Sequence, residues 1–435
     1  MDAATSKDSV ADFVTGVVAQ TGWSVDRVSR RSTRFEPPDW YWASFNVDIN
    51  KDEEKRTLRL VTKGALSPDA WDRMSDRLMR HGADMACEPV EGTGYPTLFP
   101  ETQHAYWFYP YDLSMHNLPD ANDKVRMASV LFGLDTTTDV LTAARRLEVE
   151  RVRYVPEVGA IMRYTMESGG AQNTIFGKVQ PGHRGLRTFN VVHGLWKAAA
   201  RYPGLINLPR PLAYVEEMNL LLEEGVRGRP VAGNRASAEF EIASVAAAEA
   251  LAVIHESGVD SDERIRIEDE LARLDRVTEQ FAYVLPVGHF LLKDLVTHMR
   301  ERVRKTEEED WLPTHGDMKY DQFMLHNDQF TLLDFDYFAV AETSYDVAKF
   351  CAYAVPSMPL DWRQSVGAEE ARAVFLRRYR ELRPYATLQR FALYEALHLA
   401  LRAMSFMWAQ VHEWDAMAEA FLALAFERLK SRLPE

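Results

Sequence analysis

About three quarters of the way along, the chain reads Thr-His-Gly-Asp-Met-Lys-Tyr-Asp-Gln from Thr314 to Gln322, and soon afterwards Asp334-Phe335-Asp336. Asp317, Gln322, Asp334 and Asp336 are oxygen donors set around two apolar runs, "FMLH" and "FTLLDF", joined by Asn-Asp-Gln. Short apolar runs around such a turn are expected to pair as a buried hairpin. Asp317 then ends the loop leading in, Asp334 ends the strand leading out, and Gln322 lies between them. A cluster of this kind suits Mg²⁺, a hard cation that takes oxygen ligands and keeps waters and phosphates as further partners. It also supplies a carboxylate able to accept a proton from a hydroxyl nucleophile. One Asp at a strand end is ordinarily a turn former. The ordered set is what points to chemistry.

Other elements must hold that hairpin in place. From about Ala236 onward the sequence reads as helix apart from the motif, with "AEFEIASVAAAEALAVIHESG" stopping at Gly258. Upstream, "VERVRYV", "AIMRYTM" and "TIFGKVQ" read as three strands linked by "PEVG" and "ESGGAQN". A helix over "LRTFNVVHGLWKAAARY" and two more strands, "PLAYVEE" and "NLLLEEG", complete a small, mostly antiparallel sheet. The first ~130 residues read separately: an amphipathic helix "SVADFVTGVVAQTG", a hairpin "WYWASFNVDI"/"RTLRLVTKG", a helix capped by Ser67 with Pro68 at its first turn, and a second hairpin-like stretch, 95–111. The expected fold class is α+β, divided as an N-terminal domain 1–135, a small sheet domain 136–229 and a helical domain 230–435.

At 435 residues the chain exceeds one ordinary core. Its 46% hydrophobic and 27% charged residues are globular in balance. A net charge of −14 argues against a nucleic-acid binder, since phosphate backbones are met by clustered Lys and Arg; "RVSRRSTR", Arg27–Arg34, is a small local basic patch. Cys87 and Cys351 are expected to be buried free thiols in a reducing compartment. The N-terminus lacks the basic and apolar regions of a signal peptide, and no apolar run is long enough to span a bilayer, so a cytoplasmic protein without membrane or nucleic-acid partners is expected.

The segment "HGDMKYDQFMLHNDQFTLLDFDYF…SYDVAKF" resembles the catalytic segment of the aminoglycoside phosphotransferase and choline kinase family, whose members phosphorylate small-molecule hydroxyls. The resemblance implies a bilobal protein-kinase-like fold, a small antiparallel sheet lobe and a large helical lobe, preceded here by an N-terminal α+β cap domain. It implies ATP and Mg²⁺ as cofactors. Asp317 matches the catalytic Asp, Asp334 the metal-binding Asp, and Asp346-Val347-Ala348 the later element; Lys319 falls where protein kinases carry a Lys. Gln322 would share the metal, with Asp336 a further metal or structural ligand. Lys178 matches the strand Lys that anchors phosphates, "PEVG" the turn over them, and Glu224 to Val226 the segment whose backbone meets the adenine.

Two departures stand out. Gln322 replaces the usual Asn, as in the maltokinase branch of the family, which also carries an N-terminal cap. And no Asp or Glu occurs from Val179 to Val215, where the kinase pattern places a helix Glu against the strand Lys. The implied activity is phosphorylation of a sugar or amino sugar. An aminoglycoside-type antibiotic kinase and a nucleotide-binding pseudokinase are the alternatives. A protein kinase is disfavoured, because "SYDVAKF" follows Asp334 too soon for an activation segment. Trp408, His412, Glu413 and Trp414 are read as one late helix able to face an acceptor.

Overall fold

A computed structural model describes residues 6–82, 90, 93, 96–134, 137–168, 171–231, 233–357 and 367–431. Cys87 lies outside these residues. Two compact units form: one takes residues up to Gly185 with Tyr214–Leu222 and Trp408–Gln410, the other the remainder.

The first unit begins with helix α1, Lys7–Val18, whose N-cap Ser6 accepts the Ser9 N–H. Val10, Val14 and Val18 recur every four residues, so they share one face, and all three are fully buried. They pack on Phe45, Val47, Leu60, Tyr106 and Phe108 of a five-stranded antiparallel sheet. Its strands are β1 (Ser24–Glu36), β2 (Trp40–Lys51), β3 (Glu54–Ala65), β4 (Thr97–Phe99) and β5 (His104–Phe108), in the order β1-β2-β3-β5-β4. The expected hairpins are present, and the basic stretch Arg27–Arg34 proves to be strand, lying in β1 at the sheet edge. Charged residues hide the alternation by which strands are read, and edge strands tolerate such charge. Helix α2, Pro68–Gly82, starts as expected, Ser67 accepting the Ala70 N–H.

After three short helices (α3, Leu118–Asn122; α4, Lys124–Phe132; α5, Thr137–Ala144), a second five-stranded sheet follows. Strands β6 (Leu147–Val155), β7 (Gly159–Ser168) and β8 (Ala171–Val179) form the meander read from the sequence. With β9 (Pro211–Val215) and β10 (Leu220–Glu224) the order is β6-β7-β8-β10-β9, and helix α6, Arg184–Ala199, lies between β8 and β9 in the chain.

The second unit is mostly helical. Helix α7, Ala238–Glu256, is capped by Ser237 and buries eleven residues, as its alanine-rich sequence requires. Beyond it come α8 (Ile267–Val284), α9 (Pro286–Lys305), α10 (Ser344–Ala354), α11 (Ala368–Leu382), α12 (Phe391–Ala409) and α13 (Trp414–Lys430). The expected hairpin is β14 (Phe323–His326) and β15 (Gln329–Leu332). Its loop is Asn327-Asp328, both with positive φ, the two-residue turn that matches strand twist. One expectation is corrected here: the hairpin is not the only β structure in this domain. A short strand, β11 (Arg229–Pro230), adds to β14, and β12 (Arg264–Ile265), β13 (Trp311–Thr314) and β16 (Ala339–Glu342) form another sheet. These strands span two to four residues, too few for a readable period. No helix of the described residues is long and apolar enough to cross a membrane.

Candidate active site

Strand β13 delivers Thr314, the loop after it carries His315 to Lys319, and β14 begins directly after Gln322. Gly316 has φ +79, and a Cβ there would stand 1.9 Å from the Tyr337 carbonyl oxygen. Only glycine allows the loop to pass so near the segment after Asp336. Asp346, fully buried at the start of α10, fastens the loop from beneath. Its carboxylate accepts Thr314 Oγ1 (2.6 Å), Gly316 N (2.8 Å) and Met318 N (3.4 Å). His315 Nδ1 accepts the Asp317 N–H, so Nε2 carries the proton and donates to Leu333 O at 2.9 Å. Through these two bonds the ring ties the loop to the end of the strand leading out of the hairpin.

Asp317 is the centre of the cluster. Its Oδ2 accepts Gln322 Nε2 at 2.8 Å and lies 3.0 Å from Lys319 Nζ, while Oδ1 lies 2.8 Å from Lys349 Nζ. Burial alone would push the carboxyl up, but Lys349 and Lys319 outweigh it and hold Asp317 well below the usual carboxylate range. The lysines respond in kind: burial opposes their charge, and Asp317 raises both. Lys349 also donates to Gly316 O at 2.6 Å. Sequence reading overlooked Lys349. The signal was available, since Lys349 lies three residues after Asp346 in a helix and so shares its face.

The backbone brings Gln322 and Asp334 to one end of the hairpin. Phe323 pairs with Leu332, and Leu333 N donates to Gln322 O at 2.9 Å, so Gln322 and Asp334 flank one pair of backbones. Asp334 has φ 66, a left-handed conformation uncommon outside glycine. No group of three His, Cys, Asp or Glu able to hold a metal occurs among the described residues. One carboxylate and one amide oxygen still fit Mg²⁺, which is held by few protein ligands together with phosphates and water. Asp336, also assigned to the metal from the sequence, has another partner: its Oδ1 accepts Thr188 Oγ1 of α6 at 3.3 Å. Arg187 donates to its carbonyl at 3.2 Å. Helix α6, which has no acid to offer, meets this segment through a hydroxyl and a guanidinium.

Glu224 ends β10 and Val226 lies just beyond it, and the Glu224 N–H is donated to Arg210 O at 2.9 Å. Lys178 lies on β8, half-buried and opposite Ile161, in the first unit, whereas Asp317 and its neighbours lie in the second. The turn "PEVG" connects β6 to β7. The four acceptor candidates do not share one helix, which corrects the sequence reading. Trp408 ends α12, His412 and Glu413 lie in the connection, and Trp414 begins α13. Glu413 has φ 55, so the backbone turns where unbroken periodicity suggested helix. The Trp408 ring lies 4.7 Å from the Arg34 guanidinium of β1, a cation–π contact.

Comparison with known proteins bears on this arrangement. The model of the phosphotransferase enzyme family matches residues 192–394, a span holding the whole Asp317 cluster. No curated protein matches the sequence. Among solved structures, the chain is similar to a choline kinase from Cryptosporidium parvum Iowa II, with 11% identity, TM-score 0.49, and coverage of 71% of this chain and 96% of that one. It is also similar to a choline/ethanolamine kinase family protein from Mesorhizobium loti (13% identity, TM-score 0.45, coverage 65% and 88%). A third is an amicoumacin kinase in complex with AMP-PNP, Ca²⁺ and Ami (14%, TM-score 0.46, coverage 69% and 96%). Over residues 192–394, a little under half of the chain, the sequence is therefore similar to the phosphotransferase enzyme family.

Proposed function

We propose that the chain transfers the γ-phosphoryl group of ATP to a hydroxyl of a small polar metabolite, with a sugar or amino sugar as the acceptor class. The observation that carries this reading is the Asp317 carboxylate, held ionised by Lys319 and Lys349 and bonded by Gln322. The acceptor oxygen attacks γ-phosphorus, the bond from phosphorus to the β,γ-bridging oxygen breaks, and ADP leaves. Asp317 orients the acceptor hydroxyl and takes its proton. So low a pKa makes it a weak base, which suits a loose transition state in which the nucleophile loses its proton late. Lys319 stabilises charge on the moving group. Gln322 and Asp334 are the residues to hold Mg²⁺, which when bound supplies charge neutralisation to the β- and γ-phosphates. Asp336, engaged with Thr188, we assign to tethering α6 instead. Lys178 anchors the phosphates from its own strand. With the Glu224 N–H already bonded, the base is met by the Glu224 carbonyl and by Val226.

The sugar assignment is supported by the Gln322 variant and by the N-terminal domain, features shared with the maltokinase branch; an aminoglycoside is the next acceptor to try. We place the reaction in the cytoplasm, where ATP is available. The test is ADP release from Mg-ATP against sugars, amino sugars, aminoglycosides and choline, with Asp317→Asn alongside. Turnover confined to sugars or amino sugars and lost in the variant supports the assignment. Turnover with another class replaces the acceptor, and nucleotide binding without turnover across the panel would sink the assigned transfer.

A further inference from the structure

Away from that cluster, the first unit contains a cavity of about 200 Å³ lined by Trp40, Lys63, Arg73, Met74, Arg77 and Glu157 among others. Its walls follow from sequence spacing. Arg73 and Met74 fall four and three residues before Arg77 and so lie on its side of α2, while Lys63 comes from β3. Lys63 is a buried lysine, 9% exposed, with its ammonium 4.6 Å from the centre of the Trp40 ring. Such a group needs an anion nearby. Here the anion is Glu157, from the turn joining β6 to β7. Its carboxylate pairs with Lys63 and lies 3.3 Å from Arg77 Nη1. Arg77 is further fixed by donating through Nη2 to Leu113 O (3.1 Å) and Ser114 Oγ (2.7 Å). Glu157 has φ 61, and its N–H donates to the buried Asp112 carboxylate at 2.9 Å. The turn's backbone is therefore held independently of the Glu157 side chain.

The cavity thus presents three cations and already seats one oxyanion, the chain's own carboxylate. Arg73 has its ion pair with Asp39 at 3.7 Å. With Asp39 subtracted and Glu157 turned away, the formal charge is +2, the complement of a phosphate dianion. At about 200 Å³ the space is below the usual ~300–1,000 Å³ range of organic ligand pockets and suits a compact anion. We propose that this cavity binds a small phosphate dianion, free or as a compact ester, whose oxygens replace the Glu157 carboxylate on Lys63 and Arg77 and reach Arg73.

The experiment is calorimetric titration of the full chain with sodium phosphate, at constant ionic strength set by chloride. Saturating Mg-AMP-PNP is present to occupy the nucleotide site; its own binding heat reports separately on the kinase reading. Expected is saturable binding that Lys63→Met and Arg77→Met each weaken about tenfold or more, the scale of a lost charge-assisted contact. Glu157→Gln is expected to tighten it several-fold by removing the competing carboxylate, an outcome that mere destabilisation would not produce. If Lys63→Met fails to fold, Arg77→Met and Glu157→Gln carry the test. A hexose phosphate distinguishes the sources: tighter binding than phosphate assigns an ester, equal or weaker binding assigns free phosphate. Heats indistinguishable from chloride dilution overturn the site, as does phosphate affinity unmoved by Arg77→Met or by Glu157→Gln.

Discussion

Asp317 has contacts with two lysines and an amide, and each contact implies a separate measurement. Asp317→Asn keeps the size of the side chain but loses its charge and basicity; kcat is expected to fall about 10²–10⁴-fold with ATP binding retained, which single-turnover kinetics and calorimetry would separate. Lys349→Met removes one of the two cations that depress the Asp317 carboxyl. Lys319, Gln322 and His315 remain around it, and its pKa is expected to rise. The acid limb of kcat/KM should then move to higher pH than in the unaltered protein, where Asp317 stays ionised well below the usual carboxylate range. Because the folded pKa is depressed, ionised Asp317 stabilises the fold above the ordinary carboxylate pKa. That contribution is lost as pH falls through the folded value. An unshifted limb in Lys349→Met would refute this role for the lysine. Gly316→Ala combines left-handed strain with a backbone collision and is expected to cost about 3 kcal/mol or more, read from chemical denaturation.

Among the elements, the hairpin β14–β15 carries donors, but α10 determines where the loop before it can lie. Asp346 supplies one carboxylate to Thr314, Gly316 and Met318, bonds that an asparagine can satisfy only in part. Asp346→Asn is expected to lower stability by about 2–3 kcal/mol and to reduce kcat more than it raises KM for ATP. A fall in stability with unchanged kcat would show that the loop holds its catalytic shape without this fastening. The helix α1 offers a contrasting case, since its role is packing. Val14→Ala should destabilise by about 2 kcal/mol through lost apolar burial and the space left behind.

For the whole molecule, the question is whether the N-terminal sheet can be separated from the rest. Its unit also contains β6, β7 and β8, and the links are buried and polar. Asp112 accepts Tyr154 Oη at 2.8 Å and the Glu157 N–H, and Tyr164 Oη donates to Ala121 O at 2.7 Å. A chain beginning at residue 136 would leave those groups without partners and expose the apolar surface they accompany. It is expected to be insoluble or molten, as judged by near-ultraviolet circular dichroism and dye binding. A soluble, cooperatively melting product would show that the small sheet lobe stands alone.

Much of the site was legible in the sequence because its residues are close in the chain: His315, Asp317 and Gln322 are set by one loop, and a two-residue turn brings Asp334 back to Gln322. The same locality made β6, β7, β8 and the capped helices readable from periodicity and end signals. What depended on distant contact was not legible. Lys349 reaches Asp317 across thirty-two residues, Thr188 reaches Asp336 across a hundred and forty-eight, and Glu157 meets Lys63 across ninety-four. The late tryptophans were placed on one helix because apolar spacing continues through a connection that the backbone breaks. Local spacing in the sequence determines which residue types can act together; only the tertiary structure decides which charges are buried beside one another, because burial and ion pairing are properties of space rather than of order along the chain.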